Sequence, residues 1–442
     1  MATRCVPQLD FGFQARTTVR FDGGSLTSDA GLLLLREFDH GFRLTDDLAA
    51  AYDDPRRPNR IEHSILALLR QRVYQIVAGY EDADDSDLLR TDPVLQTVIG
   101  QRDLAVPLGS QPTMSRLENR ADWPSIERLK RLPLEWFLRT HQGTPWRDEL
   151  ILDVDSTDDP CHGHQQLSFF HGQYGHYVYQ PLLIFAGGCG ALLAAKLRSG
   201  KARSIDGLLP ELERLVPRLR EHSPRAPLAL RADAGFATAR LYDWLEGHAL
   251  SYAIGFGSNV RLKRLAEPLV ARARRRFERT GQNVRMFSSL RYRGRRWRRR
   301  RRVLIKVEVS ALGTNVRFVV TNRTGKARDI FAWYNDRGVA ERYIDELKNG
   351  LAFDRLSCSR YRANALRVQL HAIAYALVHL FRQQLSNTPL ATATVTTLRL
   401  QLFKVAARVE RTARRLWFHL SSSWPHRALF VAAHAAIRGA PA

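Results

Sequence analysis

From Glu149 onward the chain carries five short apolar runs, ELILDVDST, HYVYQPLLIFA, CGALLAAKLRSG, APLALRADAGF and SYAIGFG, bounded by Gly, Pro and Asp. Runs of this length and punctuation read as strands, and GLLPELERLVPRLREH and ATARLYDWLEGH between them read as helices. The segment is therefore expected to form an α/β domain that begins with consecutive strands. Two of the strands end at acids, Asp153 and Asp155 in LDVDST and Asp233 in LRADAGF. Taken singly, an acid at a strand end is more often a turn former or helix cap than a site.

The flanks have a different texture. The first 145 or so residues read as mostly helical, with Asn59 to Gly79 placing Ile61, Ile65, Leu68, Leu69, Val73 and Ile76 on one face. In LGSQPTMSRLENR, Ser110 or Thr113 can cap a short helix carrying Arg116, Glu118, Asn119 and Arg120. Such a polar helix suits a DNA groove, and equally the surface of a helical bundle. Beyond the α/β segment, ARDIFAWYNDRGVAERYIDELKNG, ANALRVQLHAIAYALVHLFRQQL and TLRLQLFKVAARVERTARRLWFHL all read as helices.

Charge narrows the partners. With 68 Lys plus Arg against 44 Asp plus Glu, the 442-residue chain has a net charge of +24, so a polyanion is the first to consider. The composition, 45% hydrophobic and 25% charged, excludes wholesale disorder and fibrous repeats and fits roughly two to four domains. Four dispersed cysteines without a C-x-x-C pair indicate neither a disulfide framework nor a thiolate zinc site, and fit a reducing cytoplasm. In CHGH, Cys161, His162 and His164 are too crowded for the usual zinc spacing and read as a loop. MATRCVPQLDFGFQ has no secretory-signal pattern, and the uncharged stretch Tyr177 to Ala195 is broken by Pro181 and Gly187, Gly188 and Gly190 into two strands, which disfavours a membrane span.

Arg261 to Arg302 holds 18 Arg or Lys against Glu267 and Glu278, a net +16 in 42 residues. Two thirds of the excess charge is thus concentrated in one internal segment. RYRGRRWRRRRR interleaves Tyr292 and Trp297 with guanidinium groups, a pattern suited to phosphate contact and base stacking. Because strands VLIKVEVSAL and NVRFVVTNR follow, it reads as a β-rich insertion that grips nucleic acid.

After the insertion, Tyr334, Arg337, Glu341 and Lys348 stand three, four and seven residues apart, which keeps them on one helical stripe. Glu341 is either one half of a structural ion pair or the third member of a carboxylate triad with Asp155 and Asp233. Three converging carboxylates repel one another unless a divalent cation neutralises them, and hard oxygen donors suit Mg²⁺.

Tyr334-x2-Arg337-x3-Glu341-x6-Lys348, with Asp155-Ser156-Thr157 and Asp233 in RADAGFA, resembles the signature of bacterial insertion-sequence transposases of the DDE type, in the Y-R-E-K branch. FDGGSLTSDAGLLLLREFD, SQPTMSRLEN and KVAARVERTARRLWFHLSSSWP extend the resemblance over nearly the whole chain. It implies a ribonuclease-H-like α/β core interrupted by a β-rich insertion, with helical N-terminal and C-terminal regions. The corresponding organisation is a helical DNA-end-binding region at 1–145, the first part of the core at 146–257, the insertion at 258–324, the second part of the core at 325–386, and a helical, dimerising region at 387–442. It further implies that Asp155, Asp233 and Glu341 hold two Mg²⁺, with Mn²⁺ able to substitute, and that Tyr334, Arg337 and Lys348 contact phosphates near the cut. From the arginine run and the polar helix, Arg298, Arg299, Arg300 and Arg116 are expected as further DNA contacts, and Trp297 or Phe318 would stack on a displaced base. Asp155 is preferred to Asp153, which projects from the same strand face, because the family's first aspartate precedes Thr or Ser-Thr. The partners implied are double-stranded DNA, as terminal inverted repeats and target, and a second copy of the chain. The implied activity is cut-and-paste transposition through hairpin ends, in the bacterial cytoplasm on the nucleoid. A domesticated, non-catalytic DNA-binding protein and a structure-specific nuclease on the same core are the rival readings.

Overall fold

The computed structural model describes residues 8–11, 13, 17–101, 103–144, 146–172 and 174–439, and the chain divides into two units. One comprises residues 126–348 and 356–372, the other residues 1–125, 349–355 and 373–442.

The first is built on an eight-stranded sheet. Its strands are β1 (Leu150–Ser156), β2 (Leu182–Ala186), β3 (Leu192–Lys196), β4 (Leu228–Ala232), β5 (Ser251–Phe256), β6 (Val284–Tyr292), β7 (Arg301–Ser310) and β8 (Gly313–Thr321). Their spatial order is β6-β7-β8-β5-β4-β1-β2-β3. The consecutive strands β1, β2 and β3 pair antiparallel, and β4 and β5 add parallel on the other side of β1. A five-stranded order of 3-2-1-4-5 with that mixture of directions is the ribonuclease-H-like arrangement that the resemblance implied. Helix α1 (Leu208–His222) turns Leu208, Leu212, Leu215, Val216 and Leu219 inward, helix α2 (Ala239–Gly247) adds Leu241, Tyr242 and Leu245, and these join Leu152, Val154 and Leu230 in the main core.

HYVYQPLLIFA is two strands. Pro181 has no N–H to give a sheet ladder, so His176–Tyr179 pairs instead in a small side sheet with Asp159–Pro160 and Phe169–His171, and the central strand starts at Leu182.

The insertion is neither wholly β nor separate. It opens on a 21-residue helix, α3 (Val260–Thr280), whose buried residues Leu262, Ala266, Val270 and Ala273 recur at four, four and three. Strands β6 to β8 follow, and β8 pairs antiparallel with β5, with Ala253 opposite Thr321 and Phe256 opposite Phe318. Val303, Ile305, Val307, Phe318 and Val320 belong to the same core cluster as the apolar residues of β1 and β4, while Leu304 and Val319 pack in a second cluster with Ile330 and Phe331.

The signature segment is not one regular helix. An α-helix, α4 (Ala327–Asn335), tightens into a 3₁₀ turn at Asp336–Gly338. It resumes as α5 (Val339–Asp345) and widens into a π-turn at Glu346–Gly350. Turns of both kinds shift the side-chain phase, so the seven-residue offset to Lys348 no longer corresponds to two α turns.

The second unit is mainly helical. Its helix Ile65–Ala78 starts later than the periodicity suggests, because Ser64 accepts the Ala67 N–H at 3.1 Å and Pro58–Arg60 forms a separate 3₁₀ turn. The segment Thr397–Leu420, expected as a helix, ends its helical part at Phe403 and continues as a hairpin of Ala407–Arg411 and Leu416–Leu420. There Val405, Ala407 and Val409 are buried at every second residue, a strand period. Leu26–Thr27 adds to the hairpin as a third strand. The helix Leu132–Arg139, expected within the N-terminal region, instead belongs to the sheet unit. Among the described residues no helix is long and apolar enough to cross a membrane.

Candidate active site

Strands β1 and β4 are parallel neighbours, with Val154 opposite Ala232, so the acids that follow these positions emerge at the same edge of the sheet. Asp155 Oδ1 accepts the Ser156 N–H at 2.9 Å, and Asp233 Oδ1 accepts the Gly235 N–H at 2.9 Å. Glu341 lies in α5, and its charge reaches the same place. Burial pushes the Asp155 carboxyl above its usual range, the Arg337 guanidinium and the Ser156 N–H pull it down, and the charges of Asp233 and Glu341 push it up again. The three expected acids therefore share one electrostatic neighbourhood.

Arg337 is the group that compensates them. Its Nη1 donates to Asp155 Oδ2 at 3.0 Å, and although burial disfavours its charge, Asp155, Tyr334, Asp233 and Glu341 hold its pKa above the ordinary value. Lys348 Nζ donates to the Asp158 carbonyl at 2.9 Å and stands 3.3 Å from Asp158 Oδ1. Both signature cations thus hold the segment that carries the first acid. Tyr334 lines a cavity of about 390 Å³ together with Gly255, Phe318, Arg337 and Glu341. Burial raises its hydroxyl pKa, Arg337 opposes that, and Asp233 adds to it. A Cβ on Gly255 would stand 2.8 Å from the Tyr334 hydroxyl, so the residue there must be small.

Three supports were not recognised from the sequence. Arg231 grips Asp153 with Nε and Nη2, each at 2.6 Å, and its Nη1 donates to the Trp333 carbonyl at 2.7 Å. Asp153 is therefore a buried structural partner, distinct from Asp155. An Arg inside the apolar strand LALRA was the available signal, because a buried guanidinium demands a carboxylate. Arg198 Nη2 donates to the Ser156 hydroxyl at 2.6 Å, while its Nη1 donates to the Ser204 carbonyl at 2.7 Å. A Cβ on Gly235, two residues after Asp233, would collide with Ser204. Arg198 thereby links the surroundings of both aspartates. Tyr343 packs over Gly190, where a Cβ would meet its ring at 2.5 Å, and fixes α5 against the β2–β3 turn.

Chemically the acids suit a divalent cation, since they are hard oxygen donors whose mutual repulsion a cation would relieve. They are neighbours and not a finished cage: among the described residues no three Asp, Glu, His or Cys side chains stand close enough to form one, and Arg337 holds one oxygen of Asp155. Cys161, His162 and His164 form no such group either, with Cys161 buried and its thiol on the Asp159 carbonyl.

The expected DNA contacts separate into surface and core. Arg298, Arg299 and Arg300 are exposed, and Arg299 is ion-paired with Glu246. With Arg291, Arg302 and Arg323 the last two line a cleft of about 490 Å³. Trp297 and Phe318, by contrast, are 6% and 3% exposed. Trp297 sits edge-on to Tyr242 and Tyr292 at 5.3 and 5.7 Å, so it is a core anchor with no face available to a base. Alternating aromatic and Arg residues do not reveal in sequence which side of the chain faces inward. Arg116 is exposed on the helix Gln111–Arg120 of the other unit.

The sequence profile described as Transposase DDE domain group 1 matches residues 9–442. Among solved structures, a cryo-EM synaptic complex of piggyBac transposase with hairpin DNA matches at a TM-score of 0.43 and 14% identity, over 85% of this chain and 79% of that one. No curated protein matches the chain.

Proposed function

The chain belongs to the DDE transposases, enzymes that cut DNA, transfer strands and use divalent metal ions, and from that premise we propose that Asp155, Asp233 and Glu341 are its metal-holding acids. The observation that carries this is geometric: Asp155 and Asp233 follow paired residues of neighbouring parallel strands at one sheet edge, and Arg337, which holds Asp155 at 3.0 Å, lines one cavity with Glu341. These acids would hold Mg²⁺, two ions per site, with Mn²⁺ able to substitute. Bound there, they would activate an attacking oxygen and stabilise the leaving oxygen of a phosphodiester.

The chain's own groups position the DNA. Arg337 and Lys348 present cationic donors on either side of Glu341 and hold phosphates next to the scissile one. Tyr334, at the cavity rim beside Asp233, donates its hydroxyl to the same backbone. In this reading the helical N-terminal region binds the terminal inverted repeats. The exposed arginines of the insertion follow the phosphate backbone, and the C-terminal region brings two copies together, one for each end. The enzyme acts on chromosomal DNA in the bacterial cytoplasm. A freed 3′ hydroxyl attacks the phosphodiester of the opposite strand, expelling the 3′ oxygen of the flanking DNA and leaving a hairpin end; hydrolysis of the hairpin frees that 3′ hydroxyl again, and it then attacks the target.

The test is a time course on end-labelled duplex carrying an element end, with nicked, hairpin and joined products resolved on a denaturing gel. Arg337→Ala and Lys348→Ala are expected to keep detectable first-strand nicking and to lose hairpin and joined products by a larger factor. Equal loss at every step would assign the two residues to substrate binding or helix stability instead. A wild type that nicks but never makes hairpin or joined product would favour a plain nuclease.

A further inference from the structure

Remote in sequence from the triad residues, one face of the helical unit concentrates guanidinium groups around a cavity of about 180 Å³. Arg56 and Arg60 come from the loop and 3₁₀ turn before the helix Ile65–Ala78, and Arg116 and Arg120 from the helix Gln111–Arg120. Asp54 neutralises Arg56, with two oxygens at 2.7 Å from its guanidinium. Arg60, Arg116 and Arg120 are exposed, and among the described residues none is within ion-pair distance of a carboxylate, although the Arg120 charge also helps hold the Asp54 carboxyl down; Arg116 donates to the Thr113 hydroxyl at 3.0 Å. Glu62, the other acid on the rim, is 77% exposed in its side chain and pairs only distantly with His63, at 3.9 Å. The cavity therefore carries net positive charge and is walled by planar forked donors, the geometry that matches a phosphate. Its volume is several times the roughly 30 Å³ share of one water, enough for a phosphate group.

The helix beside it has one face fixed and one exposed. Met114, Leu117 and Glu118 are buried, and Glu118 is paired at 3.3 Å with the equally buried Arg72 of the helix Ile65–Ala78. Tyr52 on the cavity wall donates its hydroxyl to the Leu117 carbonyl at 3.1 Å. The opposite stripe presents exposed Arg116 and Arg120 beside half-buried Ser115 and Asn119, the latter with Nδ2 on the Ser115 carbonyl at 2.9 Å, polar groups that face the adjoining groove. A rigidly held helix with a polar face needs a backbone contact next to it to set its register on DNA.

We infer that this cavity seats a backbone phosphate of the duplex, through Arg60 and Arg120, and so sets the register of the helix Gln111–Arg120 in the adjoining groove. The inference rests on the reading that this unit binds the element ends.

The experiment measures fluorescence anisotropy of the full-length protein on a labelled end duplex and on an unrelated duplex of equal length, in EDTA, over a range of salt concentration. The Arg60→Ala/Arg120→Ala variant is expected to bind both duplexes about tenfold more weakly, as the loss of a charge-assisted contact implies. The slope of log K against log salt should fall by about 0.9 per lost phosphate. Ser115→Ala/Asn119→Ala is expected to leave the slope intact and narrow the preference for the end duplex. If the arginine pair changes neither affinity nor slope while the second pair narrows the preference, the phosphate seat is wrong and the end-binding reading stands. If neither pair changes anything, the end-binding reading falls and takes the seat with it. A circular dichroism melt of each variant, expected to match wild type because Arg60 and Arg120 are exposed and Ser115 and Asn119 only half-buried, separates these outcomes from misfolding.

Discussion

Asp153 and Asp155 lie two residues apart on one strand, yet the structure gives them opposite tasks. Asp153 is locked in a buried fork with Arg231, and removing its charge would leave that guanidinium buried and unpaired, at a cost of about 3–5 kcal/mol. Burial pushes both carboxyls up, but Asp153 is answered by a buried, two-pronged guanidinium, whereas Asp155 has a single contact from the more exposed Arg337 and also feels Asp233 and Glu341, so its ionisation costs folded stability above its raised pKa and the cost disappears on protonation. Asp153→Asn should therefore lower the unfolding midpoint of the metal-free protein sharply at neutral pH, while Asp155→Asn leaves it unchanged or raises it. Equal destabilisation by the two would mean that Asp155 is structural as well. The acids themselves were legible in the sequence, because they end apolar strands and match a spaced signature. The grip of Arg337 on Asp155 was not, since it spans 182 residues and depends on how the sheet and helix pack.

At the scale of elements, the strands of the core were readable from their apolar runs, and the helix α1 from its period. What periodicity could not show is how a helix is attached to the sheet. Glu211 on α1 does this: it accepts Lys130 Nζ at 2.7 Å and lies 3.6 Å from Lys196 of β3 and 3.1 Å from Arg214. Burial works against its charge, but Lys130, Arg214 and Lys196 together hold its pKa below the usual glutamate value. The stability it supplies is thus present above the unfolded-state pKa and lost as pH falls through the lower, folded one. Glu211→Gln is expected to cost about 3 kcal/mol at pH 7, since three cations lose their anion. Its deficit relative to wild type should narrow in urea melts taken below pH 4.5, the unperturbed glutamate value. A deficit independent of pH would assign the effect to packing. The C-terminal hairpin was misread for a related reason: basic residues spaced among apolar ones satisfy helical and strand periods alike, and the pairing with Leu26–Thr27 that selects the strand lies almost four hundred residues away.

At the scale of the molecule, the excess charge has a location and a division of labour. Arg298 to Arg300 are exposed, whereas Arg301 is 3% exposed and bound by Asp243 and Glu246 beneath Trp297. Replacing Arg298, Arg299 and Arg300 with Ser should weaken binding to any DNA and flatten the salt dependence by up to about 0.9 per lost phosphate contact, without changing the melt. Arg301→Ser should unfold the protein at a lower temperature before its DNA affinity is considered. Should the triple variant keep the wild-type salt slope, the run would be a solvated surface with no backbone contact. The sequence located this charge but not its two roles, which depend on the direction each side chain takes from the strand β7 and the turn before it.

The central claim is that Asp155, Asp233 and Glu341 together perform the cut. The most direct measurement compares Asp155→Ala, Asp233→Ala and Glu341→Ala with wild type for cleavage of an end-labelled element-end duplex in Mg²⁺, with binding to the same duplex measured in parallel in EDTA. Each variant should bind within a few-fold of wild type, as expected for residues that hold metal and not DNA, and give no cleaved product. Full cleavage by any one of the three would remove that residue from the site and contradict the account.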